Sequence, residues 1–500
     1  MARLSHLRKF SQTKSSPVRN AVESSLPADR NRKNAILLPH RTLPTAKGQD
    51  LDAVNVIYSH LIHSDWDKLD ESVSCLTPFR IKHVLLKSQK DHHLAFEFFK
   101  WVELKNSQLI TLDVNCIALH ILTKYRKFIS AQSIIKKTLS DASIDLDFPR
   151  KLFDGLVYSY RMCDSSSLVF DALFKTHAHM KKFRNASDCF CWMKEYGFRP
   201  TVVSCNAYLS SLNSLNRGDI AIAFYREMRR CRISPNVYTI NMAIKAYCDL
   251  GKLDSAARLF DETEAMGLSR NAASYNTLIS GYCSKGLAVE ALKLKSAMAK
   301  NGVDPDGFTY NALIAGLSKD GKLSEASKLL GEMKSRGVPP TVVTYNALMR
   351  GYGETGNSMR ASELFEEMSK DGIKADVLSY NGVISGLCKE GKTLKAARMA
   401  KRLDKEKLAP NASTFAALVC GHCVRGDPDR ALRVCRSMIR NGFHPDGATF
   451  EAMLSAFVRC RDFVGAVEVM KEMAKRSILP KPDILSHIVQ GLSLNESIKL

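Results

Sequence analysis

The sequence predicts an all-α fold, a solenoid of stacked helix–turn–helix repeats of 35 residues. Three observations predict it. Alanine recurs at a spacing of 35 as Ala186, Ala221, Ala256, Ala291, Ala326, Ala361, Ala396, Ala431 and Ala466. Proline follows at Pro200, Pro235, Pro305, Pro340, Pro410, Pro445 and Pro480. Methionine keeps the same register at Met193, Met228, Met298, Met333, Met368, Met438 and Met473. A fixed period of this length marks a repeat architecture. It defines nine units from Ser167 to Lys481, with positions 1 to 35 in each.

Composition agrees with a folded chain. Of the 500 residues, 45% are apolar and 25% charged, which excludes wholesale disorder. No run approaches the roughly 18 apolar residues of a membrane span. Fourteen cysteines without regular pairing point to thiols packed as small hydrophobes in a reducing compartment. The sequons at Asn185, Asn411 and Asn495 are then chance matches.

Residues 1–48 read as an address. Arg3, Arg8, Lys9, Lys14 and Arg19 precede the first acid, Glu23, with Ser5, Ser11, Ser15 and Ser16 among them. Basic, serine-rich and acid-poor is the pattern of a transit peptide, and early arginine favours the mitochondrion over the chloroplast. The alternative is a basic tail that itself binds RNA. Lys+Arg total 73 and Asp+Glu 51, a net charge of +22. Residues 1–50 hold ten basic and three acidic residues, so +15 remains on the rest and implies an anionic partner.

Residues 49–111 read as a helical region with one degenerate repeat, because Ala95 lies 36 residues before Ala131. Residues 112–166 read as degenerate repeats, with Phe153–Tyr160 a first helix whose partner is shortened. Residues 167–481 form the nine regular units, and 482–500 a capping helix. In the unit from Gly307, Tyr310, Leu313, Ile314 and Leu317 fall at helical spacing. Gly321 then breaks the chain, and Leu323, Ala326, Leu329, Leu330 and Met333 make a second helix. Gly337 and Pro340 end it. Position 3 is Ser or Thr in the last eight units, from Ser204 to Thr449, and reads as the hydroxyl that caps the first helix. One hairpin cannot bury its own apolar face, so the units must stack.

The strings Val-Val-Thr-Tyr-Asn-Ala-Leu-Met from Val342 and Tyr-Asn-Thr-Leu-Ile-Ser-Gly-Tyr-Cys from Tyr275 closely resemble pentatricopeptide repeats. The units are uniformly 35 long, which resembles the P class, the plant organellar RNA-binding type. The resemblance implies a right-handed superhelix that binds single-stranded RNA, one base per repeat. It implies work in transcript processing, with intron splicing or stabilisation of mitochondrial mRNA as the leading use and protein cofactors of RNA processing as further partners. It calls for no catalytic centre, cofactor or metal. The closest structural alternative, the tetratricopeptide array, has a period of 34 and a Trp/Leu-Gly/Tyr signature that is missing here. The alternative function is a helical scaffold for protein–protein interaction, whose basic face binds acidic partners.

Position 5 is Asn in six successive units: Asn206, Asn241, Asn276, Asn311, Asn346 and Asn381. Asparagine is a middling helix former that favours caps. With position 3 assigned to capping, the six amides are free to meet base edges. The resemblance makes the last position the second reader: Asn236, Asn271, Asp306, Thr341, Asp376 and Asn411. Taken alone, these fit turn chemistry after proline equally well. Val203, Tyr238, Phe308, Val343 and Leu378, at position 2, would wedge between bases. Lys319, Lys389 and Arg459, at position 13, would meet phosphates or lie on a solvated face. By the family's pairings the six units read a pyrimidine-rich core, 5′-YYUYUY-3′, and Thr with Asp would read G.

Cys420-Gly-His-Cys423 copies the string of disulfide isomerases. It falls inside a first helix, with Cys423 at position 12 alongside Cys248, Cys283 and Cys388, and therefore reads as packing. His60, His63, His92 and His93 lack further ligands at metal spacing.

Overall fold

The computed structural model describes residues 38–39, 42–142 and 145–497, with side chains to residue 492. The transit segment expected at 1–48 lies outside the described residues apart from 38–39 and 42–48, which are irregular chain and a turn. Among the described residues every regular element is a helix, so the fold class is all-α. None of these helices is long and apolar enough to cross a membrane.

The chain divides into two compact units. One comprises residues up to 174 together with 187–200; the other comprises 175–186 and everything from 201 onward. The first begins with helices Gln49–Ile62 and Trp66–Glu71. Hairpins Pro78–Lys87/His92–Lys105 and Leu112–Lys124/Phe128–Asp141 follow. Ala95 and Ala131 are buried in the second helices of those hairpins. Helix Phe148–Ser159 is followed by helix Leu168–His179, with Phe153 and Phe170 5.0 Å apart between them, and no short second helix intervenes. In place of the shortened helix there is a hydrogen-bonded turn, with Ser165 N–H donating to the Tyr160 carbonyl at 3.2 Å. That turn has a purpose in the core. Ser165 Oγ lies 2.7 Å from Nδ1 of the fully buried His120, whose Nε2 lies 3.0 Å from the Leu156 carbonyl. Burial pushes the His120 imidazole down to about 4, so it is neutral at physiological pH.

The second compact unit is an array of hairpins in strict register. Its first helices are Val202–Ser214, Val237–Asp249, Ala272–Ser284, Gly307–Lys319, Val342–Glu354, Val377–Lys389, Ala412–Arg425 and Gly447–Arg459. Each is followed by a second helix, from Gly218–Arg230 to Phe463–Ala474, and helix Pro482–Ser497 closes the array. Each first helix packs on its own second helix and on the next unit's first helix. The recurrent alanines are fully buried, and so are Met228, Met298, Met333, Met368 and Met473. Burying each of these methionines contributes about 1.5–3 kcal/mol. Gly321 and Gly337 end their helices at φ of 75° and 72°, the left-handed conformation a side chain disfavours.

Neighbouring first helices approach closely where glycine stands at position 10. A Cβ on Gly316 would sit 2.6 Å from Cys283 Cβ, and one on Gly421 2.7 Å from Cys388 Cβ. Position 12 is thus a packing position. Cys423 occupies it, buried, with its thiol pushed up to about 12 by burial, and burial raises the Cys420 thiol as well. Neither is poised as a thiolate nucleophile. Among the described residues no group of three His, Cys, Asp or Glu is placed to hold a metal ion.

The second-helix layer is laced with ion pairs between units. Lys334 bridges Glu367 at 2.8 Å and Asp371 at 2.7 Å, and Tyr345 donates its hydroxyl to Asp371 at 2.5 Å.

Candidate nucleic-acid interface

A helix starts with N–H groups that have no partner inside it. In this array the last residue of each unit supplies the cap for the next. Asp306 Oδ1 accepts the Thr309 N–H at 2.9 Å, and Thr309 Oγ1 accepts the Asp306 N–H at 3.1 Å. The same reciprocal box is built at Asn236/Thr239, Asn271/Ser274, Asp376/Ser379 and Asn411/Thr414. This corrects the sequence assignment of the cap to position 3. The helix begins two residues earlier, at position 1, so the position-3 hydroxyl is the returning half of the box. It is buried there, as at Thr239, Thr309, Thr344 and Ser379.

The position-5 amide is added to that box without being part of it. Asn276 Nδ2 donates to Asp306 Oδ1 at 2.9 Å, and Asn276 Oδ1 accepts the Thr309 hydroxyl at 2.6 Å. Thus position 5, position 35 and position 3 of the next unit form a triangle. Asn346 repeats it with Asp376 at 2.9 Å and Ser379 at 2.7 Å. Asn381 repeats it with Asn411 at 3.0 Å and Thr414 at 2.7 Å. Asn206 does so with Asn236 at 3.2 Å and Thr239 at 2.7 Å. In the Asn311/Thr341 unit the amide reaches the Thr341 hydroxyl at 3.4 Å and accepts from Thr344 at 2.6 Å. Asn241 differs: no bond joins it to Asn271, and its Oδ1 is buried without a partner.

An asparagine side chain has two N–H donors and two acceptor lone pairs. The triangle uses one of each and fixes which end of the amide points where. One N–H and one lone pair remain. At position 35, Asp306 and Asp376 direct a single oxygen, Oδ1, into the triangle. Burial alone would raise these carboxyls. Bonds from the Thr309 and Ser379 backbone and from the Asn276 and Asn346 amides outweigh it, and both stay below the ordinary carboxylate range. They are therefore ionised acceptors with an oxygen to spare.

Position 2 stands one residue from the box. Val203, Tyr238, Phe308, Val343 and Leu378 are all exposed there, Phe308 the most at 78%. Apolar side chains left in solvent at a repeating place suit a flat apolar ligand such as a base. Position 13 is at the far end of the helix, about 15 Å from position 3 at 1.5 Å per residue. Lys319 donates to the Ser284 carbonyl at 3.3 Å and Lys389 to the Glu354 carbonyl at 2.5 Å. Arg459 does the same to the Cys423 carbonyl at 2.9 Å. Each cation caps the end of the preceding first helix, where the helix dipole is negative. The sequence did not separate this duty from a phosphate contact.

The last two units depart from the pattern. Position 5 is Ala416, yet Asp446 still caps Thr449 at 2.8 Å. In the following unit Glu451 and Lys481, at positions 5 and 35, form an ion pair at 2.7 Å.

Two family models match the chain. One, described as the PPR repeat family, matches residues 200–249, 270–319, 305–351, 340–389, 375–424 and 410–459. The other, the PPR repeat, matches 238–268 and 448–478. A mitochondrial pentatricopeptide repeat-containing protein of Arabidopsis thaliana is 59% identical over 197 residues, 39% of this chain and 37% of that protein. A second from the same plant is 34% identical over 159 residues, 32% of this chain and 21% of that one. The chain therefore spans well under two thirds of these relatives' length. Among solved structures, maize PPR10 aligns over 90% of this chain and 77% of its own, at 17% identity and TM-score 0.36. PPR10 in complex with an 18-nucleotide psaJ RNA element aligns over 90% and 82%, at 16% identity and TM-score 0.42.

Proposed function

The chain belongs to the pentatricopeptide repeat family, and on that premise we propose that it binds single-stranded RNA in an organelle, reading one base per unit. The observation that carries the reading is the triangle at Asn206, Asn276, Asn311, Asn346 and Asn381. Each amide is held rigid by the fold yet keeps a donor and an acceptor for a base edge. Rigid polar groups bind at lower entropic cost than free ones.

The chemistry of position 35 sets the base. An ionised Asp306 or Asp376 offers only acceptors, which suits the N3–H of uracil and repels the N3 lone pair of cytosine. Asn236, Asn271 and Asn411 carry an N–H as well and accommodate cytosine. Six units in series, from Asn206/Asn236 to Asn381/Asn411, thus favour 5′-YYUYUY-3′. The exposed position-2 side chains stack between bases, worth about 1–3 kcal/mol each. The basic excess adds a salt-dependent, sequence-independent term.

Such a protein acts by occupying its RNA: it blocks a nuclease, holds a structure open or assists splicing. Mitochondrial transcripts are the proposed target, supported by the name of the 59% identical relative and by the arginine-rich start of the chain. Selection from a random RNA pool tests the base reading, and RNA recovered with the protein from purified mitochondria tests the setting. Enrichment of the pyrimidine core is the expected result. A pool that returns no motif would remove the reading and leave a protein scaffold.

A further inference from the structure

Four arginines converge on one hollow in the second-helix layer, away from the asparagine row. Arg226, Arg229 and Arg230 come from the last turns of helix Gly218–Arg230, and Arg258 from helix Leu253–Ala265. The hollow measures about 410 Å³. Its lining residues occupy none of positions 2, 5, 13 or 35 of their units.

The floor is polar and incomplete. Tyr225 is 3% exposed and lines the hollow; the Arg229 guanidinium lies against its hydroxyl as a donor, and the hydroxyl's own proton has no acceptor. A buried hydroxyl whose proton meets no acceptor favours a ligand that supplies one. Beside it, Tyr247 accepts a hydrogen bond from Arg226 Nη2 at 3.4 Å. Arg258 is steadied by Ser255 Oγ at 3.4 Å. Glu262 is the one acid in the lining, so four guanidinium groups face a single carboxylate. Arg230 has only an exposed pairing with Glu227 at 3.4 Å. No carboxylate of the described residues lies within ion-pair distance of Arg226, Arg229 or Arg258.

We propose that this hollow binds an oligophosphate, either a free nucleoside di- or triphosphate or the 5′-polyphosphate end of a transcript. The shared chemistry is a chain of phosphate oxygens. Guanidinium forks match phosphate oxygens two at a time, and several such oxygens are needed to engage four forks. The Tyr225 hydroxyl donates to one of them and is thereby satisfied. The volume falls within the range of small-ligand sites and exceeds what a single phosphate fills. An acidic peptide would need cations spread along a track with apolar anchors between them, whereas these are gathered around a phenolic floor. The site does not depend on the base-reading proposal.

The test uses the full chain. Pyrophosphate and a fluorescent nucleoside triphosphate are titrated in, and binding to one saturable site is expected. Arg229→Gln and Arg258→Gln should each weaken it about tenfold or more, as expected for charge-assisted bonds. Tyr225→Phe, which keeps the ring, should weaken it roughly threefold to tenfold. All three should keep the wild-type melting curve and the affinity for 5′-hydroxyl pyrimidine RNA. Competition by 5′-triphosphorylated RNA but not by its 5′-hydroxyl form identifies the transcript end as the source. Binding that neither RNA displaces identifies the free nucleotide. The proposal is overturned by no saturable binding at millimolar pyrophosphate, by unchanged binding in the Arg229→Gln, Arg258→Gln double variant, or by equal displacement with a glutamate-rich peptide.

Discussion

The unit from Ala272 to Asp306 and the unit from Ala412 to Asp446 end in the same cap. Asp306 accepts the Thr309 N–H at 2.9 Å, and Asp446 accepts the Thr449 N–H at 2.8 Å. In the first unit Asn276 joins that cap through its amide; in the second the same place is Ala416, and the helix starts just as well. In the unit after that, Glu451 and Lys481 fill the two places with an ion pair. The difference teaches what each column is for. Positions 35 and 3 serve the helix start in each unit from Asn236/Thr239 through Asp446/Thr449. Position 5 is not demanded by the fold, so a run of six asparagines there has another use.

The largest effect should come from making the central units resemble the Ala416 unit. Asn276→Ala, Asn311→Ala and Asn346→Ala together remove three amides worth about 1 kcal/mol or more each. Affinity for pyrimidine RNA should fall roughly a hundredfold or more, while the melting temperature shifts by only a few degrees. A collapse of the melting transition would mean that the amides are structural and would erase the contrast between the two regions.

A smaller effect separates the cap from the reader. Thr309→Val removes one half of a capping box and Thr449→Val a hydroxyl that donates to the capping Asp446, so each should cost similar stability, about 1 kcal/mol. Only Thr309→Val also frees Asn276 Oδ1, so only it should weaken RNA binding, by roughly fivefold. Chemical denaturation and filter binding on both variants check this. Equal RNA affinities would show that the triangle does not orient the amide.

The smallest effect is a gain. Ala416→Asn restores position 5 beside Asp446 and should raise affinity about threefold to tenfold, for RNA extended by one uridine on the 3′ side. No gain with the extended strand would place the end of the reading frame before this unit for some reason other than the missing amide.

Much of this was legible in the sequence because the period is strict. Ala326, Met333 and Gly337 fix the helices, their core face and their ends, and the Asn column is visible by eye. The owner of the cap was misread. Thr309 follows proline and precedes the apolar run, as a capping residue does, but the helix already begins at Gly307 and Asp306 is the cap. The signal was present as an Asn, Asp or Thr three residues before each Ser or Thr. The duties of Lys319 and Lys389 were not legible, because the carbonyls they meet belong to residues 35 positions earlier. The arginine hollow was hidden for the same reason: Arg229 and Arg258 become neighbours only when two hairpins stack.

The central claim is that the position-5 amides select bases. The most direct measurement is selection from a random RNA pool with wild type and with Asn346→Thr in parallel. The change keeps the Asp376/Ser379 box and creates the Thr/Asp pair that the family associates with G. The expected result is a move of the fifth base from U to G, with the other five bases unchanged. The same motif from both proteins would contradict the account.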